Sequence, residues 1–260
     1  MSVDESAFVR EQYATPDKLR ARKSIYENAE GDDPRQFAFE AVAAARPTRV
    51  LEVGGGEGEL AERFIKELGL ELVAVDQSDA MVEVQRSKGI DARVGDVQEL
   101  PFADGEFDVA VAAWMLYHVR DLDRGLGELA RVLRPTGVLV AVTNALDHLQ
   151  ELWDFARRSS QMNRFNFRSD NGEDVLRRHF ASVERREAHG WVTMDTDAVR
   201  RFAASWDALA SLVNIPPLDE PVRVRRHSTV FVASHPRTAS SSARSTATPS
   251  SDSRRAHSSQ

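Results

Sequence analysis

The sequence predicts an α/β fold in which a doubly wound, mostly parallel sheet carries helices on both faces, and three observations predict it. A β-branched run enters a glycine cluster that opens an amphipathic helix, at Arg49-Val-Leu-Glu-Val-Gly-Gly-Gly-Glu-Gly-Glu-Leu60. Apolar runs recur at Leu70–Val75, Phe107–Ala113 and Val138–Asn144 with helical stretches between them, the alternation that produces parallel strands buried on both faces. The 260 residues, 42% of them hydrophobic, suffice for one substantial core, and nothing suggests two full domains.

The glycine cluster is a cofactor cradle candidate. Gly54, Gly55, Gly56 and Gly58 remove side chains where the chain must turn sharply and where a ligand must approach the backbone. A dinucleotide fingerprint begun at Gly54 needs a third glycine at 59, where this chain has Glu59. A phosphate-binding loop needs Lys-Ser/Thr after its last glycine, and Gly58 is followed by Glu59 and Leu60. Three carboxylates, Glu52, Glu57 and Glu59, surround the turn; they repel a pyrophosphate and suit a cation such as the sulfonium and ammonium of S-adenosylmethionine. Glu57 and Glu59 also suit the positive end of the following helix dipole, which leaves Glu52 as the strongest of the three.

The second strand ends in Asp76, followed by Gln77, roughly twenty residues beyond the loop, the spacing at which an acidic residue takes a ribose hydroxyl pair. Ser78 and Asp79 offer helix caps before Met81, whose thioether suits either an adenine face or the core. Asp91-Ala-Arg-Val-Gly-Asp96-Val97 precedes Leu100-Pro-Phe102, and the fourth strand delivers Ala113 and Trp114 at its carboxyl end, where ligands sit in open α/β sheets. Leu133-Arg-Pro-Thr-Gly137 then turns the chain into a fifth strand.

These motifs in this order resemble the class I S-adenosylmethionine-dependent methyltransferases of small-molecule type, the kind grouped as methyltransferase domains 11 and 25. The first motif of that family, acidic-x-G-x-G-x-G, is matched by Glu52, Gly54, Gly56 and Gly58; the likeness is strong over 47–144 and rests on layout alone over 145–233. It implies a Rossmann-like, seven-stranded mixed sheet with the last strand antiparallel. Phe180–Ala188 and Arg225–Ala233 supply the closing hairpin. It further implies S-adenosyl-L-methionine as cofactor, S-adenosyl-L-homocysteine as product, and no metal. The cofactor set becomes Glu52, Gly54, Gly55, Gly56, Gly58, Asp76 on the ribose, Gln77, Met81, Asp96 and Val97 at the adenine, Ala113 and Trp114.

Outside the core the chain divides into three segments. Residues 1–46 read as a helical lid, two short helices opened at Thr15-Pro16-Asp17 and Asp33-Pro34, ahead of a methyltransferase domain over 47–234. Residues 145–175 form an insertion in which aromatic residues interleave with Arg157, Arg158, Arg164 and Arg168, an exposed basic face or an anion site. Tyr13 and Tyr26 from the lid, Tyr117 after the fourth strand, and Trp153 and Phe165 from the insertion are the substrate-contact candidates. Residues 235–260 are rich in Ser, Thr, Ala and Arg and cannot bury enough apolar surface to offset their ordering entropy, so disorder is expected there.

Composition narrows the chemistry. With no cysteine, the chain has no disulfide framework, no thiolate metal site, no cysteine-held iron–sulfur cluster and no cysteine nucleophile for pyrimidine carbon methylation. No apolar run is long enough to cross a bilayer and no signal-peptide pattern opens the sequence, so a cytoplasmic protein without membrane association is expected. The tail carries +3, leaving about −10 on the rest of a chain whose net charge is −7. An acidic body argues against nucleic acid as partner. So does Ala113-Trp114-Met115-Leu116, which stands where base-methylating relatives carry Asn/Asp-Pro-Pro-Tyr/Phe. A monomer or homodimer acting on a small molecule is the expectation.

Methyl transfer from a sulfonium is an in-line displacement from an activated donor, so orientation in a closed site supplies much of the acceleration. A base is needed only if the acceptor must lose a proton; His118 is the candidate, with His148 and Asp147 second. The expected activity is O- or N-methylation of a small molecule in specialised metabolism. The alternatives are a peptide or protein methyltransferase and a non-catalytic cofactor-binding partner protein.

Overall fold

Among the described residues, a capping carboxylate and a first-turn proline start the second helix, and a proline starts the first. The computed structural model describes residues 16–157 and 165–237. Helix α1 is Pro16–Ser24, a two-residue strand β1 is Glu30–Gly31, and α2 is Pro34–Ala45. Asp33 caps α2 by accepting from the Arg35 backbone N–H at 2.9 Å, which satisfies one of the donors a helix start leaves open.

The core alternates as the sequence predicts: β2 (Arg49–Val53), α3 (Glu59–Leu68), β3 (Glu71–Asp76), α4 (Asp79–Ser87), β4 (Asp91–Val94) and β5 (Phe107–Ala113). A 3₁₀ turn at Leu116–His118 then leads into α5 (Leu122–Val132) and β6 (Leu133–Asn144). Next come α6 (Gln150–Phe155), α7 (Gly172–Leu176), β7 (Phe180–Met194), α8 (Thr196–Ala204), a 3₁₀ turn at Asp207–Leu212 and β8 (Val222–Pro236).

The strands form one sheet in the order β1-β7-β8-β6-β5-β2-β3-β4. The five strands β2 to β6 run parallel, and β8 enters antiparallel between β6 and β7. The sheet carries one more strand than the seven expected, because β1 pairs antiparallel with the outer edge of β7 through Glu30 and Gly31. Two residues between turns carry no apolar alternation, so nothing in the sequence marks them as a strand.

Period-two patterning sorts the strand residues between two faces. Val50, Leu72, Ala74, Val109, Val111, Val140 and Val142 pack with Ala38 and Val42 of α2 and with Leu60, Ala61 and Phe64 of α3. Their chain neighbours Leu51, Val73, Val75, Ala110, Leu139 and Ala141 pack on the opposite face with Leu126 and Leu129 of α5. A third cluster lies apart from both: Ile25, Leu149, Leu152, Trp153, Val199, Phe202, Leu209 and Leu212 gather around the Val192–Met194 end of β7 and Val224 of β8.

Two expectations are corrected. The segment Arg134–Gly137, expected as a turn ahead of a strand, belongs to β6 as a bulge: Phe107 pairs Leu133 and Val109 pairs Val138, so extra residues of β6 are looped out. The hairpin strands β7 and β8 are each 15 residues long, well beyond Phe180–Ala188 and Arg225–Ala233, because their charged outer portions still pair along a continuous register from Phe180↔Pro236 to Met194↔Val222. The expected disordered tail lies outside the described residues from 238 onward.

Candidate active site

The cradle is built by β2 ending in a chain of left-handed glycines. Gly54, Gly56 and Gly58 have φ of 64°, 58° and 73°, values that place a Cβ under strain. At Gly54 an added Cβ would stand 2.7 Å from Met115 Cβ, and at Gly55 it would stand 2.2 Å from Glu52 Oε2. The loop is fastened to the next strand: the Gly54 N–H donates to Val75 O at 2.8 Å, the Gly56 N–H to Asp76 Oδ2 at 3.2 Å, and Gln85 Nε2 to Gly56 O at 2.6 Å.

Asp76 therefore serves the loop as well as facing the cavity. Its other oxygen accepts from the Ser78 N–H at 2.9 Å. Burial raises its pKa, and backbone N–H groups of Ser78, Gly56 and Gln77 oppose the rise. Glu52 lies deeper, 1% exposed, and neither of its carboxylate oxygens has a hydrogen-bond partner. Burial, reinforced by the charge of Asp76, pushes its pKa up to about 7. The other two loop carboxylates are already spoken for: Arg20 Nε donates to Glu57 Oε1 at 2.9 Å, and Lys23 Nζ lies 3.0 Å from Glu59 Oε1. The cationic-ligand argument thus narrows to Glu52 and Asp76, while Glu57 and Glu59 hold α1 over the loop.

A cavity of about 280 Å³ extends from this cradle to an aromatic wall. On the cradle side it is lined by Glu52, Gly54, Gly55, Gly56, Asp76, Gln77, Val97, Ala113 and Trp114. Three expected cofactor residues are not among its lining: Gly58 caps α3, Met81 is fully buried, and Asp96 accepts from its neighbour Gln98, at 2.8 Å from the backbone N–H. Trp114 leaves β5 in a left-handed conformation, φ 55°, and its indole N–H donates to Asn144 Oδ1 at 3.0 Å. That rare backbone turns the indole into the cavity, as strained positions in functional clefts do.

The opposite wall gathers residues from four distant segments. The candidates Tyr26, Tyr117, His118, His148, Trp153 and Phe165 all line it; Tyr13 lies outside the described residues. Tyr117 packs against Phe165 with ring centroids 4.7 Å apart. Burial, with a smaller effect of Arg22, lowers the pKa of His118 to about 4. His148 is likewise lowered to about 4, mainly by burial, while burial raises Tyr26 to about 12. Their side chains meet, Tyr26 Oη to His148 Nε2 at 3.0 Å, and the His227 backbone N–H lies 3.1 Å from His148 Nδ1. Asp147 is absent from the lining and instead pairs with His227 Nδ1 at 2.6 Å and with Arg225.

Sequence reasoning missed several lining residues: Arg35, Asn144, Phe202, Trp206, Arg226 and Ser228. The helix that carries Phe202 had a signal, since Asp195 followed by Thr196-Asp-Ala-Val-Arg-Arg-Phe is a cap before an amphipathic turn. The insertion's arginines were expected as an exposed basic face or an anion site, and neither described member lines the cavity. Arg168 pairs with Asp170 at 2.9 Å, Arg157 is exposed, and Arg158 and Arg164 are outside the described residues.

The cradle fits S-adenosylmethionine on its own terms. A buried carboxylate with both oxygens unpaired, bare glycine Cα positions beside it and a second carboxylate at the next strand end offer a cation partner, close backbone approach and a diol acceptor. Residues 51–141 match the family described as methyltransferase domain. Among proteins similar to the chain is the ubiquinone/menaquinone biosynthesis C-methyltransferase UbiE of Idiomarina loihiensis, 36% identical over 113 residues, which are 40% of this chain and 45% of that protein. The chain thus spans about half the length of the curated relatives it matches. Similar solved folds include the YcgJ protein of Bacillus subtilis (TM-score 0.57, 18% identity, 76% of this chain and 97% of that one). Another is Haemonchus contortus phosphoethanolamine N-methyltransferase 2, solved with phosphomonomethylethanolamine and S-adenosylhomocysteine (TM-score 0.58, 17% identity, 90% of this chain and 61% of that one). With the eight-stranded sheet and its glycine cradle, these likenesses support a class I S-adenosylmethionine-dependent methyltransferase domain whose family match spans residues 51–141.

Proposed function

We propose that this protein transfers a methyl group from S-adenosylmethionine to oxygen or nitrogen of a small, largely apolar acceptor, as a cytoplasmic enzyme of specialised metabolism. The observation that carries the reading is the one cavity that joins the glycine cradle to a wall containing Tyr26, Tyr117, Trp153, Phe165 and Trp206. Aromatic walls with a few polar groups are the usual makeup of small-molecule sites. No helix among the described residues is long and apolar enough to cross a membrane.

In this reading Glu52 faces the cationic end of the cofactor, and Asp76 accepts from its ribose while keeping Gly56 in place. Gly54 and Gly55 allow backbone contact, and Val97, Ala113 and Trp114 bound the rest. The bound cofactor supplies an already activated methyl group on a sulfonium. What the protein supplies is orientation and exclusion of water, worth much of the barrier in such a displacement.

His118 is held neutral by burial. A neutral imidazole accepts a hydrogen bond from an acceptor O–H or N–H, but with a conjugate acid near pH 4 it is a weak base. Its role is to aim the acceptor's lone pair rather than to remove a proton early. His148, with both ring nitrogens within hydrogen-bond distance of Tyr26 and the His227 backbone, fixes the Tyr26 hydroxyl.

Calorimetry with S-adenosylmethionine, S-adenosylhomocysteine and NAD tests the cofactor half. Binding of the two sulfur ligands and not NAD is expected, and binding of NAD alone overturns the reading. Incubation with labelled cofactor and small-molecule extracts tests the acceptor half. A second reading, transfer to carbon, is favoured by the C-methyltransferase name of the UbiE relative; the position of label in the product separates the two.

A further inference from the structure

Two guanidinium groups on the acceptor wall have no use in the reading above. Arg35, in the first turn of α2, and Arg226, in the middle of β8, both line the cavity. Of the other cations lining the cavity, Lys23 is paired with Glu59, while Arg22, on α1, donates to Lys18 O at 3.2 Å and lies over the Trp206 ring at 5.4 Å. Neither Arg35 nor Arg226 forms a carboxylate ion pair among the described residues. Arg35 lies over the Trp114 ring at 5.4 Å and Arg226 over the Tyr26 ring at 5.9 Å. Arg226 donates from Nη2 to the Asp32 backbone oxygen, and its Nε is buried without any partner.

The fold makes room for this arginine. Gly190 stands opposite Arg226 in the β7–β8 register, with Gly31 beyond it on β1. A Cβ on Gly190 would come within 3.2 Å of Arg226 Nη2 and 2.2 Å of Glu30 O. Two glycines side by side at a sheet edge thus leave space for a guanidinium beside the cavity. Arg35 and Arg226 also feel each other: burial and the charge of Arg35 lower the affinity of Arg226 for its proton, against the opposing charges of Tyr26, Asp33 and Asp32. Two like charges held near one another in a half-buried wall form an arrangement that a bound anion relieves.

We infer that Arg35 and Arg226 form an anion-recognition pair, and that the acceptor is a small molecule carrying a carboxylate or phosphate group on an apolar, aromatic-sized body. The inference rests on the methyltransferase reading and deepens it by naming the acceptor class. Planar guanidinium forks suit both anions, and the Trp114 and Tyr26 rings line the same cavity. The chemistry is shared by a second source, the α-carboxylate of the cofactor's own methionine end, and the test distinguishes the two.

The test uses the full chain as wild type, R35M, R226M and the charge-preserving R226K. Each is titrated with S-adenosylhomocysteine. Each is then assayed for methyl transfer to a panel of hydroxylated and aminated aromatic acids, the matched methyl esters and aryl phosphates. The expected result is an acid or phosphate used at least tenfold better than its neutral partner by wild type. That preference should be lost in R35M and R226M and largely kept in R226K, while S-adenosylhomocysteine affinity stays within threefold in all. Equal use of acids and esters by wild type, or no transfer to any anionic member of the panel, overturns the inference. A tenfold loss of S-adenosylhomocysteine affinity in R35M or R226M also overturns it and assigns the pair to the cofactor's carboxylate. Failure of wild type to bind S-adenosylhomocysteine at all overturns the methyltransferase reading beneath it.

Discussion

The two halves of the cavity are built in opposite ways. The cradle half draws on one stretch of the chain, Glu52 to Trp114, and works chiefly through backbone N–H groups, bare glycines and two carboxylates. The acceptor half draws single side chains from α1, α2, the turn after β5, α6, α8 and β8, and works through rings, imidazoles and guanidiniums. A contiguous, backbone-made site tolerates little change at any position. A site assembled from scattered side chains can change one contact at a time.

Substitutions on the cradle side should therefore have the larger effects. Gly54→Ala combines a left-handed φ with a Cβ placed 2.7 Å from Met115 Cβ. Strain and overpacking together should cost about 3 kcal/mol. At roughly 2–4 °C per kcal/mol for a chain of this size, thermal unfolding should show a fall of about 6–12 °C; an unchanged melting temperature would mean the loop turns differently.

Glu52→Gln should separate stability from function. The folded-state pKa of Glu52, about 7, lies above its ordinary value of 4.5. The folded protein therefore holds this proton longer, and stability falls as pH rises from 4.5 to 7, with the full penalty above 7. Removing the charge should raise stability at pH 8 by an amount on the order of 3 kcal/mol, yet weaken S-adenosylmethionine binding tenfold or more. In wild type, uptake of a cationic ligand should release a proton near pH 7, visible in calorimetry as an enthalpy that varies with the buffer's ionisation heat. Buffer-independent enthalpies would place the ligand's charge elsewhere.

On the acceptor side the expected effects shrink. His118 and His148, with pKa lowered to about 4, are neutral when folded. The unfolded chain protonates first, so stability should be lost as pH falls from about 6.5 toward 4. The H118N/H148N double variant should flatten that limb of the pH–stability curve; a limb of the same slope would assign it to other groups. Tyr26→Phe removes one hydroxyl contact to His148 and should cost about 1 kcal/mol, read by urea unfolding at pH 7. Smallest of all, R20A/K23A removes ion pairs whose cationic partners are partly exposed. It should change stability by under about 1 kcal/mol and by less still in high salt.

The same contrast explains what was legible in the sequence. Strands β2 to β6 and the helices between them follow from apolar runs and caps, and Glu52, the glycines and Asp76 follow from spacing, because contiguous sites leave contiguous marks. Arg226 could not be found this way. Its strand reads as charged and polar over Val222–His227, and only the tertiary pairing with Gly190 turns one of those arginines toward a cavity. Phe202 and Trp206 lie in and just after a helix that Asp195 caps, and its amphipathic pattern marks a buried face without marking which buried rings reach a cavity. Asp96 was legible as a motif and yet is bound by Gln98, a local contact that no spacing argument anticipates.

The third apolar cluster, gathered around the outer ends of β7 and β8, bears on how such a protein can diversify. Because Leu152, Trp153, Val199, Phe202 and Leu209 share one cluster with Val192, Met194 and Val224 at the hairpin ends, this cap is a packing unit separate from the two clusters that stabilise the rest of the sheet. Segments of the cap could be exchanged with those of a relative while the cradle keeps its geometry. On the proposed function, acceptor choice can drift while the donor site stays fixed, and the matched region, 51–141, ends before the cap's α6, α8 and hairpin ends begin.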